Sequence, residues 1–237
     1  MELHSFVTPD HLAEAAARAW LAEVQAANAA GKPHLVALSG GRITQKFFAA
    51  IVALVRQTGT PGLANVHFFW ADERCVPPDD AESNYAMAEQ LLFQPLTIKA
   101  DKIHRLRGEL PPPEAAALAV EEIRQVAPLT AAGQPVLDVI FLGMGEDGHV
   151  ASLFPQEPEA DRANPAIFRA IAQSPKPPPN RITLGYPAIA AAREVWVLVS
   201  GSGKETAWRE TLSPTGKTPL ARVLQSRTQS RIFTDLK

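Results

Sequence analysis

A chain of 237 residues with 46% hydrophobic and 20% charged residues has an ordinary globular balance and can bury a substantial core. A formal net charge of −2 leaves no basic footprint for nucleic acid or an anionic membrane, and the single cysteine, Cys75, excludes an intrachain disulfide and a cysteine metal cluster. No apolar run is long enough to span a bilayer, and MELHSFVTPDHLAEA lacks the basic start and apolar core of a secretory signal, so a soluble cytoplasmic protein is expected. Strand-like and helix-like segments alternate along nearly the whole chain without an internal repeat, which predicts a single α/β domain over residues 1–237.

Thr8 as an N-cap and Pro9 in the first turn predict a helix that Gly31 ends, with Leu12, Ala16, Leu21 and Val24 as its apolar stripe. His4 and His11 are expected on the surface. His34–Leu38 reads as the first strand, followed at once by Ser39-Gly40-Gly41-Arg42 and a helix over Ile43–Arg56. A strand, a glycine turn and a helix start make a ready anion site, because free N–H groups and the helix dipole converge there. By itself SGG is weak evidence, since many tight turns share it. Val66–Ala71 predicts a second strand running into Asp72-Glu73-Arg74, and Ser83-Asn84-Tyr85 opens a helix through about Leu92. Three charges directly after a buried strand read either as a salt-bridged strand end or as a pocket wall. Ile103–Leu106 reads as a short strand, Pro111–Pro113 as a stiff connector, Glu114–Ala127 as a helix, and Ala131–Pro135 as a loop.

Val139–Leu142 is an unbroken apolar run, predicted as a strand buried on both faces. It breaks into Gly143-Met144-Gly145-Glu146-Asp147-Gly148-His149. Glycines at this density let the backbone approach a ligand closely, and His149 is the one group in the loop that titrates near neutrality unaided. Residues 156–179 read as an irregular excursion around a strand near Ile167–Ala172, with SPKPPPN as a linker-like loop. Pro187–Ala192 predicts a short helix, Val195–Val199 a buried strand, and Lys204 the start of a helix through about Leu212. The tail predicts a helix around Val223-Leu224 and a strand around Ile232-Phe233.

Four loops, Ser39–Arg42, Asp72–Arg74, Gly143–His149 and Gly201–Lys204, each follow a short apolar strand. If those strands are parallel, right-handed crossovers put their C-terminal ends on one edge, and the loops face one anion-binding crevice. Ser200-Gly201-Ser202-Gly203-Lys204 is no nucleotide P-loop, because Lys204 is followed by Glu205 and the glycine spacing is wrong. His149 has no partner at HxxxH or HExxH spacing, and His67 and His104 read as structural, so no metal is expected. There is no GxSxG elbow for a serine esterase and no GxGxxG dinucleotide fingerprint, so no cofactor is expected.

The run Gly143 to Pro155, GMGEDGHVASLFP, resembles the GMGxDGHxASLFP signature of the 6-phosphogluconolactonases. Related sugar-phosphate isomerases and deaminases share GxGxDGHxA, but this chain continues Leu153-Phe154-Pro155, which favours the lactonase branch. Three further segments resemble family motifs in the same order: SGG at Ser39–Gly41, DERxVP followed by SNY at Asp72–Tyr85, and GxxK at Gly201–Lys204, with RITL at Arg181–Leu184 between. Two departures stand out. Arg42-Ile43-Thr44 replaces Ser-Thr-Pro, and Gly185-Tyr186-Pro187 replaces Thr-Leu-Pro. Arg42 either substitutes as a phosphate ligand or points to solvent.

The resemblance implies a modified Rossmann-like α/β fold with a mainly parallel sheet flanked by helices, similar to the sugar-phosphate deaminases and isomerases. It implies a metal-independent hydrolase of 6-phospho-D-glucono-1,5-lactone in the oxidative pentose phosphate pathway. His149 would be the general base, Arg74 the oxyanion partner, and Asp147 would orient His149 or shape the turn. Ser39, Gly40, Gly41, Arg42, Asp72, Arg181 and Lys204 would bind the substrate and its phosphate, with Asn84 on a sugar hydroxyl. The expected partner is this small-molecule lactone, with neither nucleic acid nor membrane, and the chain would be a monomer or a weak homo-oligomer. The rivals are a glucosamine-6-phosphate deaminase or isomerase and a non-catalytic sugar-phosphate sensor.

Overall fold

The computed structural model describes residues 1–58 and 62–236. The chain opens with a short strand, β1 (Glu2–Ser5), and a long helix, α1 (Pro9–Ala29). Thr8 Oγ1 accepts the His11 N–H at 3.2 Å, so the cap forms as its sequence predicts. Then follow β2 (His34–Leu38), α2 (Arg42–Thr58), β3 (Val66–Trp70) and β4 (Asp72–Arg74). Ser83 caps α3 (Asn84–Ala88), which continues through a π-helical turn at Glu89–Phe93 into α4 (Gln94–Leu96). After α5 (Pro112–Val126) come β5 (Val139–Gly143), α6 (Glu159–Arg162), β6 (Phe168–Ile171), β7 (Arg181–Leu184) and α7 (Tyr186–Ala191). The last elements are β8 (Glu194–Val199), α8 (Glu205–Leu212), α9 (Pro219–Gln225) and β9 (Ser230–Thr234).

Six strands make one sheet in the order β1-β9-β8-β5-β2-β3, and every neighbouring pair is parallel. Helices flank this sheet, which is the α/β class the sequence predicts. β5 runs between β2 and β8, with Val139 in register with Val36 and Phe141 with Trp196. Its residues Val139 to Leu142 are all buried. Trp20 of α1, Phe47 of α2 and Trp196 of β8 close around the Phe141 ring at centroid distances of 5.8, 4.8 and 5.7 Å. Each such ring contributes about 2 kcal/mol relative to exposure. From β2 the chain steps outward to β3, then returns to β5 on the other side of β2. That reversal leaves a gap at the C-terminal ends of β2 and β5, the usual place for a ligand in such sheets.

Two sequence expectations change here, and one strand is added. Asp72–Arg74 is no loop: it is strand β4, paired antiparallel with β7 in a second sheet of order β4-β7-β6. Ile103–Leu106 forms no strand; only Ile103 makes an isolated bridge, to Phe68. Strand β1 escapes the sequence pattern because all four of its residues are exposed, and only pairing with β9 holds it. Among the described residues no helix is long and apolar enough to cross a membrane.

A polar chain runs over one flank of β3. Lys102 Nζ lies 3.2 Å from His67 Nε2, His67 Nδ1 lies 2.9 Å from His104 Nε2, and His104 Nδ1 lies 2.8 Å from Glu122 Oε1. An ammonium only donates and a carboxylate only accepts, so both rings are neutral with the proton on Nδ1. Burial pushes the His67 pKa below 6.5, helped by Lys102 and His104 and opposed by Asp101. The unfolded chain therefore binds a proton at this residue before the folded one does, and stability is lost as pH falls through about 6.5. Denaturant midpoints should drop between about pH 7.5 and 5.5, and drop less in His67→Gln.

Candidate active site

The gap at the strand ends is a crevice of about 310 Å³. Ser39, Gly40, Gly41, Arg42, Asp72, Arg74, His149, Arg181 and Lys204 all line it. The loops after β2, β5 and β8 thus meet as parallel pairing requires, and β4 and β7 close one side. Ser39 is buried, and its hydroxyl donates to the Phe141 carbonyl at 2.8 Å, pinning the end of β2 to β5.

His149 sits in a loop that folds back on itself. The Gly145 N–H donates to the His149 carbonyl at 2.9 Å, and the Gly148 N–H to the Gly145 carbonyl at 3.0 Å. His149 Nδ1 is hydrogen-bonded to Asp147 Oδ1, which also accepts the His149 backbone N–H at 3.3 Å. Asp147 therefore both shapes the turn and orients the ring. An ionised carboxylate only accepts, so Nδ1 carries a proton, and in the neutral ring Nε2 is then the acceptor. Burial alone would raise the Asp147 carboxyl, but the His149 ring and backbone and the Lys176 ammonium outweigh it and hold the group well below the usual range. The Phe154 ring packs on the other side of His149, with centroids 4.9 Å apart. A Cβ on Gly145 would lie 2.0 Å from His149 Nδ1 and Cε1, so glycine here is a condition of the ring's position.

At the neighbouring end lies positive charge. The first N–H groups of α2 have no intrahelical acceptor and meet the crevice at Gly41 and Arg42. Arg42 turns to the crevice, and its Nη2 comes within 4.0 Å of where Gly201 would carry a Cβ. Lys204 stands just before α8. Burial pushes its ammonium down, with Arg42 adding repulsion and Glu146 and Asp235 pulling the other way. Two crowded cations beside a helix start form a site that an anion would relieve.

The β4 wall is cross-linked by side chains to two other segments, residues 82–85 and Ser152. Asp72 Oδ2 accepts from Ser152 Oγ at 2.7 Å, and the Asp72 carbonyl accepts from Asn84 Nδ2 at 2.9 Å. Glu73, also buried, accepts the backbone N–H groups of Arg74, Asn84 and Tyr85 at 2.7 to 2.8 Å and the Ser83 hydroxyl at 3.1 Å. Burial pushes its carboxyl up to about 7 against the pull of those three N–H groups. Glu73 thereby ties the start of α3 to the strand that carries Arg74. Arg74 Nη1 donates to the Glu82 carbonyl at 2.7 Å. Cys75 packs against the core, and burial lifts its thiol to about 11, so it is no thiolate at neutral pH.

One expectation changes. Asn84 is not on the crevice wall: it is buried behind Gly40, close enough that a Gly40 Cβ would lie 2.0 Å from its Oδ1, and its amide is spent on Asp72. Arg181 lines the crevice, and its Nε and Nη2 also donate to the carbonyls of Pro178, Pro177 and Lys176 at 3.1, 2.8 and 3.2 Å. It clamps a loop. One lining residue, Lys176, lies in SPKPPPN and goes unnoticed in the sequence, although a lone lysine among prolines beside the RITL segment was the available signal. Its Nζ lies 3.6 Å from Asp147 Oδ1.

At the switch point of a parallel α/β sheet, the crevice thus brings cationic side chains and a helix start together with a carboxylate-bound histidine. Residues 7–233 match the family model for glucosamine-6-phosphate isomerases/6-phosphogluconolactonase. The 6-phosphogluconolactonase of Mycobacterium tuberculosis is 38% identical over 209 residues, covering 85% of this chain and 82% of that protein. The structure of 6-phosphogluconolactonase from Trypanosoma brucei superposes with a TM-score of 0.83 at 27% identity, covering 98% of this chain and 95% of that one. A monomeric glucosamine-6-phosphate deaminase shares the fold alone, with a TM-score of 0.82 at 16% identity over 99% of this chain and 97% of that one. The chain belongs to the glucosamine-6-phosphate isomerase/6-phosphogluconolactonase family.

Gly145→Ala should displace the imidazole and, with His149 acting as a general base, lower kcat by roughly 100-fold. Unchanged far-UV circular dichroism with an unchanged kcat would show that the ring has room to spare.

Proposed function

We propose that this crevice hydrolyses 6-phospho-D-glucono-1,5-lactone to 6-phospho-D-gluconate, in the oxidative pentose phosphate pathway. The observation that carries the reading is the pairing of an Asp147-oriented His149, with Nε2 left as acceptor, and the Arg42–Lys204 anion site in one crevice. Phe154 gives the branch-specific Leu-Phe-Pro run a physical role, since its ring packs against His149.

The phosphate lies at the start of α2, against the Gly40 and Gly41 backbone, with Arg42 and Lys204 as its cations. Arg binds it through two parallel donors and Lys as a point charge. Asp72 accepts from the sugar hydroxyls. Water attacks the lactone carbonyl carbon while His149 Nε2 takes its proton. The carbonyl oxygen becomes negative, and Arg74 supplies positive charge to it. As the tetrahedral centre collapses, the bond from the carbonyl carbon to the ring oxygen breaks. His149 returns its proton to that oxygen, which leaves as a hydroxyl. The new carboxylic acid gives its own proton to solvent.

The test is hydrolysis of the phosphorylated lactone generated in situ, corrected for spontaneous opening and run with a chelator present. Unphosphorylated gluconolactone and glucosamine 6-phosphate run alongside. Chelator-resistant turnover of the phosphorylated lactone alone is expected; deamination, or binding without turnover, would overturn the reading. In the same assay His149→Ala should lose roughly 100-fold or more in kcat. Lys204→Ala should chiefly raise KM, and an unchanged KM would remove Lys204 from the phosphate site.

A further inference from the structure

The SPKPPPN segment is a folded strap. The Ser174 N–H donates to the Pro179 carbonyl at 2.7 Å, and the Ser174 hydroxyl donates to the Lys176 carbonyl at 2.9 Å while accepting the Lys176 N–H at 3.2 Å. From the other side the buried Arg181 guanidinium takes the carbonyls of Lys176, Pro177 and Pro178. The backbone of Lys176 is fixed by these bonds, while its half-exposed side chain reaches the crevice. Its Nζ stands 3.6 Å from Asp147 Oδ1, the oxygen that holds His149 Nδ1.

That arrangement answers an electrostatic difficulty. A carboxylate bonded to an imidazole orients it, but its charge also favours the protonated ring, which cannot take a proton from water. A cation on the same oxygen opposes that effect without breaking the bond. The other charges facing this pair are Glu146 on its own loop, Asp72 and Arg74 on β4, Arg181 on β7, and Arg42 and Lys204 at the helix starts. Arg74 and Arg181 donate to main-chain carbonyls, and Arg42 and Lys204 crowd each other at the anion end. Lys176 is the cation placed on Asp147 itself.

We propose that Lys176, held by the Arg181 clamp, is a positioning residue that offsets the charge of Asp147, so that the carboxylate orients His149 without trapping it as imidazolium. The inference rests on the lactonase reading of the same site. It is tested by the pH profile of kcat/KM for the phosphorylated lactone in the wild type, Lys176→Met and Lys176→Arg. Removing one positive charge at this range should move the acid limb of Lys176→Met up by roughly half a pH unit, about a threefold loss of rate on that limb. Lys176→Arg should keep the wild-type limb. Arg181→Met, which removes the clamp and a second cation facing the pair, should move the limb in the same direction. A Lys176→Met limb that superimposes on the wild type, or a Lys176→Arg limb displaced equally, overturns the proposal. An NMR titration of the His149 ring reads the same displacement without turnover. A wild type that fails to hydrolyse the lactone, with the His149 titration still displaced in Lys176→Met, would sink the reaction and leave the ion-pair inference standing.

Discussion

Val139 to Leu142 can be solvated on neither face, because β2 and β8 pair along both edges and helices cover the sheet. The strand has to be apolar, and every polar group the protein uses must come after it. That constraint puts the glycine loop and His149 directly above the most buried part of the molecule. It also fixes where the neighbouring loops can go, since the ends of β2 and β8 are set by their register with β5. The Ser39 hydroxyl on the Phe141 carbonyl is the local expression of this: a polar side chain at the rim bonds the backbone of the central strand.

Above that floor, the crevice is held by buried hydrogen bonds rather than by packing. Asp72 joins β4 to Ser152 and Asn84, and Ser152 joins in turn, through its N–H, the Thr183 hydroxyl of β7 at 3.2 Å. Glu73 collects four donors from the start of α3 and its own strand. Buried groups of this kind are costly when left unpaired, about 1–3 kcal/mol each, so the network tolerates one arrangement and excludes others. Segments far apart in sequence are thereby locked to one another at the place where the anion end and the histidine end must keep a fixed separation.

What the sequence made legible follows from this division. Strands β2, β3, β5 and β8 are short apolar runs that end in glycine or charge, and parallel pairing brings the ends of such runs to one edge. The histidine loop, the SGG turn and Lys204 could therefore be assigned to one crevice from pattern alone. β1 was hidden because its residues, Glu2 to Ser5, are exposed and carry no alternation. β4 was hidden because a strand reading Asp-Glu-Arg gains nothing from apolar burial; its pairing with β7 and its buried carboxylate bonds hold it. Asn84 and Arg181 have the chemistry of ligands, and only three-dimensional contacts reveal that one backs Gly40 and the other grips a loop. Lys176 went unread although a lone lysine among prolines marked it, because nothing in that segment says that Arg181 will fold it over a histidine.

The pairing of β1 with β9 has a consequence for the order of assembly. Glu2 lies opposite Arg231 and Ser5 opposite Thr234, and the Phe6 N–H donates to the Thr234 carbonyl at 2.8 Å. Strand β1 thus finds its partner only after residues 6–229, which separate it from β9, have been made. Until then it has no neighbour and little apolar surface with which to seek another. An exposed, polar β1 is well suited to that interval, because a greasy edge strand left unpaired for so long would invite association between nascent chains. The composition that hides β1 from a sequence reader is also what lets it wait.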